Sequence, residues 1–273
     1  MAEFPTDNGA KWAVVTGASG GLGREFARQL AGRGYNLVLV ARSANRLEVV
    51  RAELATGNRQ VRVVALDLAA PGAATGLAAL TDQWGIVPAV LVNNAGFAAW
   101  GRFLDAPPEV VAGMLQLNVA TTVQLSQLYG QRMRGHGGGY LLHVASTAAF
   151  QPVPSFAVYA ATKGLVLQFS RALHQEGRRS GVSSTALCPG PTDTGFFDRA
   201  QLRPNRFFRA LMMPPAVVAR QGLDAMFRRQ AVQVPGLLNR LGTLVPRVMP
   251  SSWMARIAYL FCKGDPAAPA RRP

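Results

Sequence analysis

Short apolar runs, most with no consistently polar face, alternate along the chain with longer stretches in which apolar residues return every three or four positions. The runs are KWAVVT (11–16), NLVLVA (36–41), VRVVAL (61–66), AVLVN (89–93), YLLHVA (140–145) and VSSTALC (182–188). Strands that are apolar on both faces are covered by helices on each side, as in a parallel sheet, rather than exposed to water. Between them Leu22, Phe26 and Leu30 recur at four-residue steps, and Leu47, Val50 and Leu54 at three and four. That spacing predicts amphipathic helices, which Gly32 and Gly34, then Gly57, bring to an end. Pro107 and Pro108 mark the start of a long helix through Met133, because proline is tolerated in a first turn and not inside one. The alternation predicts an α/β chain, a doubly wound parallel sheet wrapped by crossover helices.

The texture changes near residue 199. Half of the 18 prolines fall between 199 and 273, so helices there must be short and broken. Val232 to Val234 reads as a last edge strand. Leu237, Leu241, Leu244 and Val248 form a helical stripe with Arg240 and Arg247 off it, and Trp253, Ile257 and Leu260 form another. We read residues 1–10 as an N-terminal lead and 11–198 as the core. Residues 199–263 then supply a substrate lid, the last strand and a helical extension of the same domain, and 264–273 a flexible tail.

Composition narrows the class. With 49% hydrophobic and 16% charged residues the chain is globular rather than disordered. Its apolar runs fall well short of the roughly 18 to 20 residues that span a bilayer. The start, MAEFPTDNGAKW, has no basic segment followed by an apolar one, so a secretory signal is not expected and a cytoplasmic location is. Cys188 and Cys262 form no paired motif, and His136, His143 and His174 have no metal-ligand spacing, so free thiols and no metal are expected. His143, in a strand-like run, reads as a satisfied core histidine. The 29 basic and 14 acidic residues leave +15, unevenly spread: residues 199–273 hold 13 basic and 2 acidic groups. Such a charge raises nucleic-acid binding as an alternative class, but the arginines are scattered with no aromatic-basic motif, which disfavours it.

Candidate chemistry begins after the first strand, in TGASGGLGRE. Gly17, Gly21 and Gly23, with Ser19, Gly20 and Leu22 between them, precede an amphipathic helix. Glycines permit positive φ and close backbone approach, and a helix N-terminus attracts a pyrophosphate, so the loop suits a dinucleotide. The second strand ends in Ala41-Arg42-Ser43, where an NAD site places an acid for the ribose hydroxyls. Arginine cannot accept those bonds but can grip a 2'-phosphate, helped by Arg46 one turn on, which favours NADP(H) over NAD(H). The competing reading is an arginine that merely opens a solvated helix face. Further along, Ser146 follows the fifth strand and Tyr159-Ala-Ala-Thr-Lys163 follows it by thirteen residues. Residues four apart share a helix face, so the ammonium can sit near the phenol or near a ribose beside it. A neighbouring cation favours phenolate and lowers the phenol pKa from about 10, giving a usable acid-base. Ser146 can hydrogen-bond a substrate oxygen and aim it.

With these marks assembled, the chain resembles the short-chain dehydrogenase/reductase family. The resemblance rests on T-G-x-x-x-G-x-G at 16–23, Asp67 after the third strand, Asn93-Asn94-Ala95-Gly96, Asn118 in the LNV segment, Ser146, Tyr159-x-x-x-Lys163, and Pro189-Gly190 with a following Thr194. It implies a single Rossmann-like domain with about seven parallel strands, commonly a homodimer or homotetramer. It also implies roles: Tyr159 as acid-base, Lys163 on the ribose hydroxyls and lowering the tyrosine pKa, Ser146 on the carbonyl, and Asn118 holding a water in a proton relay. By the same likeness Asp67 and Leu68 lie near the adenine, Asn94, Ala95 and Gly96 line the adenosine side, and Pro189, Gly190, Thr192 and Thr194 flank the nicotinamide. The second proline of Pro189-Gly190-Pro191 leaves that loop's contacts less defined.

The residues therefore point to hydride transfer between NADPH and a ketone or aldehyde, or the matching secondary alcohol. A non-catalytic NADP(H) sensor on the same fold is the alternative, disfavoured because Ser146, Tyr159 and Lys163 are all intact. Loops at the carboxyl ends of the strands should wall the substrate. They carry Phe97, Trp100 and Phe103, then Phe150, Val153 and Phe156, then Phe196, Phe197, Phe207, Phe208, Met212 and Met213. A lipophilic carbonyl compound is the expectation, set against the reading that these side chains simply pack a lid. The extension resembles one found in a subset of short-chain reductases, which favours lid or subunit contact over peripheral membrane association.

Overall fold

The computed structural model describes residues 11–196, 200 and 211–262. Seven strands pair in parallel in the order β3-β2-β1-β4-β5-β6-β7. They are β1 (Trp12–Thr16), β2 (Asn36–Ala41), β3 (Val61–Ala65), β4 (Val90–Asn93), β5 (Gly139–Val144), β6 (Val182–Leu187) and the two-residue β7 (Val232–Gln233). Each strand falls within a residue or two of the corresponding apolar run. The helices are α1 (Gly21–Gly32), α2 (Ala44–Leu54), α3 (Ala73–Gln83), α4 (Pro108–Leu115), α5 (Thr122–Gly135), α6 (Ala157–Gly177), α7 (Pro215–Phe227), α8 (Leu237–Gly242) and α9 (Ser251–Cys262). None of the helices among the described residues is long and apolar enough to cross a membrane.

The two-residue period of a strand sends alternate side chains to opposite faces. Val14, Val38, Val40, Leu91 and Leu141 pack with α3 and α5 through Leu77, Leu125, Tyr129 and Met133. Ala13, Val15, Leu37, Leu39 and Val92 pack on the other face with α1, α2 and α7 through Phe26, Leu30, Leu47, Val218 and Leu223. Gly34, at φ +85°, ends α1 as expected: its N–H reaches the Ala31 carbonyl and the Tyr35 N–H the Leu30 carbonyl.

One predicted element differs in kind. The helix foreseen from Pro107 to Met133 is interrupted by a π-helical turn over Gln116–Thr121. That turn carries Asn118, whose side chain binds the loop after β4, and such turns widen a helix to present a side chain inward.

His143 of β5 is the buried core histidine expected. Ser126 Oγ donates to the Thr122 carbonyl (2.6 Å), so it accepts from His143 Nε2 (2.8 Å) and from Asn93 Nδ2 (3.0 Å). His143 Nδ1 then accepts from Ser184 Oγ (3.2 Å), which assigns a neutral ring protonated on Nε2. Burial pushes its pKa from 6.5 down to about 3. Across that window the unfolded chain takes up a proton that the folded one refuses, so stability falls with pH. As pH drops below 6.5 the slope approaches that of one extra proton bound by the unfolded chain. Urea unfolding of wild type and His143→Gln between pH 7 and 4.5 should differ in slope by that amount; parallel curves would contradict the assignment.

Candidate active site

The order of strands reverses between β1 and β4, which opens a crevice at their carboxyl ends. The glycine loop lies there. Thr16 Oγ1 accepts from the N–H groups of Asn94 and Ala95 (both 2.9 Å) and donates to the Val92 carbonyl (3.1 Å), while Asn94 Nδ2 donates to the Thr16 carbonyl (2.8 Å). These bonds hold the Asn-Asn-Ala-Gly loop against the turn after β1. Gly17 stands at φ +66° and Gly21 at +53°. A Cβ on Gly23 would come within 2.0 Å of the Gly17 carbonyl oxygen, so α1 can seat this close only with glycine there. No side chain caps α1, which leaves its first N–H groups facing the crevice. The cradle fits a pyrophosphate.

A cavity of about 1100 Å³ runs from this loop along the carboxyl edge of the sheet. Of the cofactor residues expected from sequence it is lined by Gly17, Ser19, Gly20, Gly21, Leu22, Arg42, Ser43, Arg46, Asp67, Leu68, Asn94, Ala95, Gly96, Pro189, Gly190, Thr192 and Thr194. Gly23 lies behind the loop instead, against Gly17 and Asn94. Arg42 and Arg46 are exposed at the cavity edge and paired with no carboxylate among the described residues. Ser43 caps α2 by accepting from the Arg46 N–H (3.4 Å), and Asp67 accepts from the Ala69 N–H (3.0 Å).

Ser146, Tyr159 and Lys163 meet at the far part of the same cavity. Ser146 caps the short turn Thr147–Phe150 by accepting from the Ala148 N–H (3.1 Å), and its hydroxyl is the polar neighbour of the Tyr159 phenol that opposes the effect of burial. Lys163 Nζ sits 5.7 Å from the centre of the Tyr159 ring and donates to the Val144 carbonyl (2.7 Å). Burial pulls this amine down to about 8. The phenol departs from expectation: burial pushes it up to about 12, opposed only by Ser146, so the fold alone does not lower it. Asn118 is buried behind the site. Its Oδ1 accepts from the Phe97 N–H (3.1 Å), and its Nδ2 donates to the Phe97 carbonyl (2.9 Å) and to Thr162 Oγ1 (3.2 Å). The amide thereby fixes the backbone beside Gly96, where a Cβ would meet Asn118 Oδ1 at 2.9 Å.

Apolar side chains wall the remainder: Phe97, Leu117, Val153, Phe156, Phe196 and, from the C-terminal segment, Leu238 and Met254. Several bulky candidates do not reach it. Phe103 is exposed, while Phe150 packs on a core cluster with Val166 and Leu167, and Trp100 with Ala98 and Ala160. Met212 and Met213 are half-buried outside the lining, while Phe197, Phe207 and Phe208 lie outside the described residues. Among the lining residues that went unforeseen are Asn239 and Thr243, polar positions one turn apart in a segment that reads as an apolar stripe. Asn239 Nδ2 donates to the Pro235 carbonyl (2.9 Å), and its amide covers Gly190 so closely that a Cβ there would lie 2.3 Å from its Oδ1.

A profile of the family described as short chain dehydrogenase matches residues 11–204. The chain belongs to the short-chain dehydrogenase/reductase family. Members of that family are NAD(P)-dependent oxidoreductases. It is 34% identical over 188 residues to the human very-long-chain 3-oxoacyl-CoA reductase, covering 66% of this chain and 58% of that one. It is 31% identical over 188 residues to the human 17-beta-hydroxysteroid dehydrogenase type 3, covering 67% and 60%. The chain thus spans about three fifths of the length of these two relatives. A short-chain dehydrogenase from Sphingobium yanoikuyae solved in complex with NADPH superposes with a TM-score of 0.78 at 27% identity, over 96% of this chain and 99% of that one.

Proposed function

We propose that this oxidoreductase reduces a lipophilic ketone or aldehyde at the expense of NADPH, or oxidises the matching secondary alcohol. The observation that carries the reading is one cavity in which a pyrophosphate cradle, a Ser146–Tyr159–Lys163 cluster and an apolar wall lie in sequence. Bound NADPH supplies a hydride to the carbonyl carbon. The chain's own residues do the rest. Gly17, Gly21 and the N–H groups opening α1 would hold the pyrophosphate, and Lys163 would serve the ribose hydroxyls. Pro189, Gly190, Thr192 and Thr194, which line the same cavity, would border the nicotinamide. Ser146 donates to the carbonyl oxygen and aims it at Tyr159, whose hydroxyl gives up its proton as charge builds on that oxygen. Asn118 fixes the Gly96–Phe97 backbone; its part in a proton relay is carried over from the family resemblance alone.

Arg42 after β2 and Arg46 in the first turn of α2, paired with no carboxylate among the described residues, support NADP(H) over NAD(H), since a 2'-phosphate would pair with them and a bare ribose would not. The NADPH bound by the Sphingobium protein agrees with this preference. The apolar wall supports a bulky substrate, in keeping with the acyl and steroid compounds for which the human relatives are named. A homodimer or homotetramer is the assembly we expect from family habit. An NADPH-oxidation screen over steroid, fatty acyl, cyclic and small polar carbonyls tests the reading. Bulky apolar substrates should exceed small polar ones in kcat/KM by at least about tenfold. NADPH should be preferred to NADH by at least about tenfold, the worth of one charge-assisted bond. Equal efficiency across substrates, or equal affinity for the two nucleotides, would count against it.

A further inference from the structure

The segment from Leu237 to Cys262 wears its amphipathic pattern reversed. The stripe that sequence would turn toward a core faces water: Leu237 is 71% exposed, Leu241 52%, Leu244 46% and Val248 87%. The polar positions of the same segment, Asn239 and Thr243, point into the cavity instead. α9 adds Trp253, 63% exposed, and Tyr259 to the outer face. Single exposed apolar residues need no explanation, but a run of them along one segment of the chain does.

Its position and charge narrow the occupant. Leu238, Val245 and Ile257 line the cavity and are themselves exposed, so the segment that carries the outward stripe also walls the active site. No acidic residue occurs between Asp224 and Asp265, while Arg240 and Arg256 of the same segment are exposed. A second copy of the chain would bring these arginines against their own counterparts with no carboxylate to neutralise them. α9, at about 18 Å from its 12 residues, is too short to span a bilayer but suited to lie along one.

We propose that this face docks the enzyme on an anionic lipid surface, with the cavity mouth opening toward the bilayer. The apolar side chains enter the headgroup boundary and the arginines meet lipid phosphates. A lipophilic substrate then passes from bilayer to cavity without crossing water. Only that passage rests on the proposed reductase reading; the docking is read by flotation with no turnover needed.

Full-length enzyme is floated with phosphatidylcholine vesicles and with mixed phosphatidylcholine and phosphatidylglycerol vesicles. Wild type should float with the mixed vesicles at least about tenfold more than with the neutral ones, and high salt should release it. Arg240→Glu with Arg256→Glu should abolish the preference. Leu241→Ser with Val248→Ser should weaken flotation and remove a lipid-induced blue shift in emission that Trp253→Phe also removes. Unchanged melting and NADPH binding in these variants show that they fold. The proposal is overturned if wild type does not float, if neutral and anionic vesicles retain it equally, or if the variants float like wild type. A dimer in sedimentation that the serine pair dissolves would assign the face to a second copy and overturn it as well.

Discussion

Tyr159→Phe should lower turnover by about a thousandfold while leaving the NADPH Kd within about twofold of wild type. The substitution removes one oxygen from a ring held on both sides, by Phe156 at 5.9 Å and Phe196 at 5.5 Å between ring centres, so the cavity keeps its shape. What is lost is the proton at the carbonyl oxygen. Ser146 still caps its turn through the Ala148 N–H, and Lys163 still holds the Val144 carbonyl. The substrate can bind, but the oxygen that gains negative charge has no acid to discharge it. Pre-steady-state measurement should show the loss in the chemical step, with KM little changed. A variant with wild-type turnover would remove Tyr159 from the chemistry. A variant that loses NADPH binding to the same extent would make the residue structural.

The second large effect concerns the cradle. Gly23→Ala places a methyl group 2.0 Å from the Gly17 carbonyl oxygen and 2.7 Å from Asn94 Nδ2. The carbonyl cannot yield locally, because Gly17 is itself held at φ +66° and its neighbour Thr16 is bonded to Val92, Asn94 and Ala95. α1 must therefore move away from the sheet and take its N-terminal N–H groups with it. NADPH affinity should fall by at least about a hundredfold, and stability by about 1–3 kcal/mol as in other overpacked sites. Gly32→Ala, in the same helix with open space around it, should change neither. Titration calorimetry with NADPH checks both variants; near-native affinity in Gly23→Ala would mean that the seating of α1 does not shape the nucleotide site.

The sheet was legible because its strands are apolar on both faces and too short for anything but a buried parallel arrangement. The cofactor loop was legible because glycine spacing reports backbone geometry directly. Other features depend on distance through space and leave no local trace. The π-helical turn at Gln116–Thr121 lies inside an unbroken helical pattern, and it is revealed only by Asn118 reaching Phe97 and Thr162. The rise in the Tyr159 pKa comes from burial by residues far apart in sequence, so reading Lys163 four positions away gave the opposite direction. The stripe of Leu237, Leu241, Leu244 and Val248 was visible as a pattern. Which way it faces was not, because periodicity defines a face and only packing assigns it to core or surface.

The central claim is that the protein delivers a hydride and a proton to one carbonyl group within this cavity. Incubating the enzyme with NADPH deuterated at the transferring position and a bulky apolar ketone, then locating the label by mass spectrometry, tests it most directly. The account predicts one deuterium on the carbinol carbon of the product, formed by wild type and essentially not by Tyr159→Phe. Product without label, label scattered over other carbons, or equal labelling by the variant would contradict it.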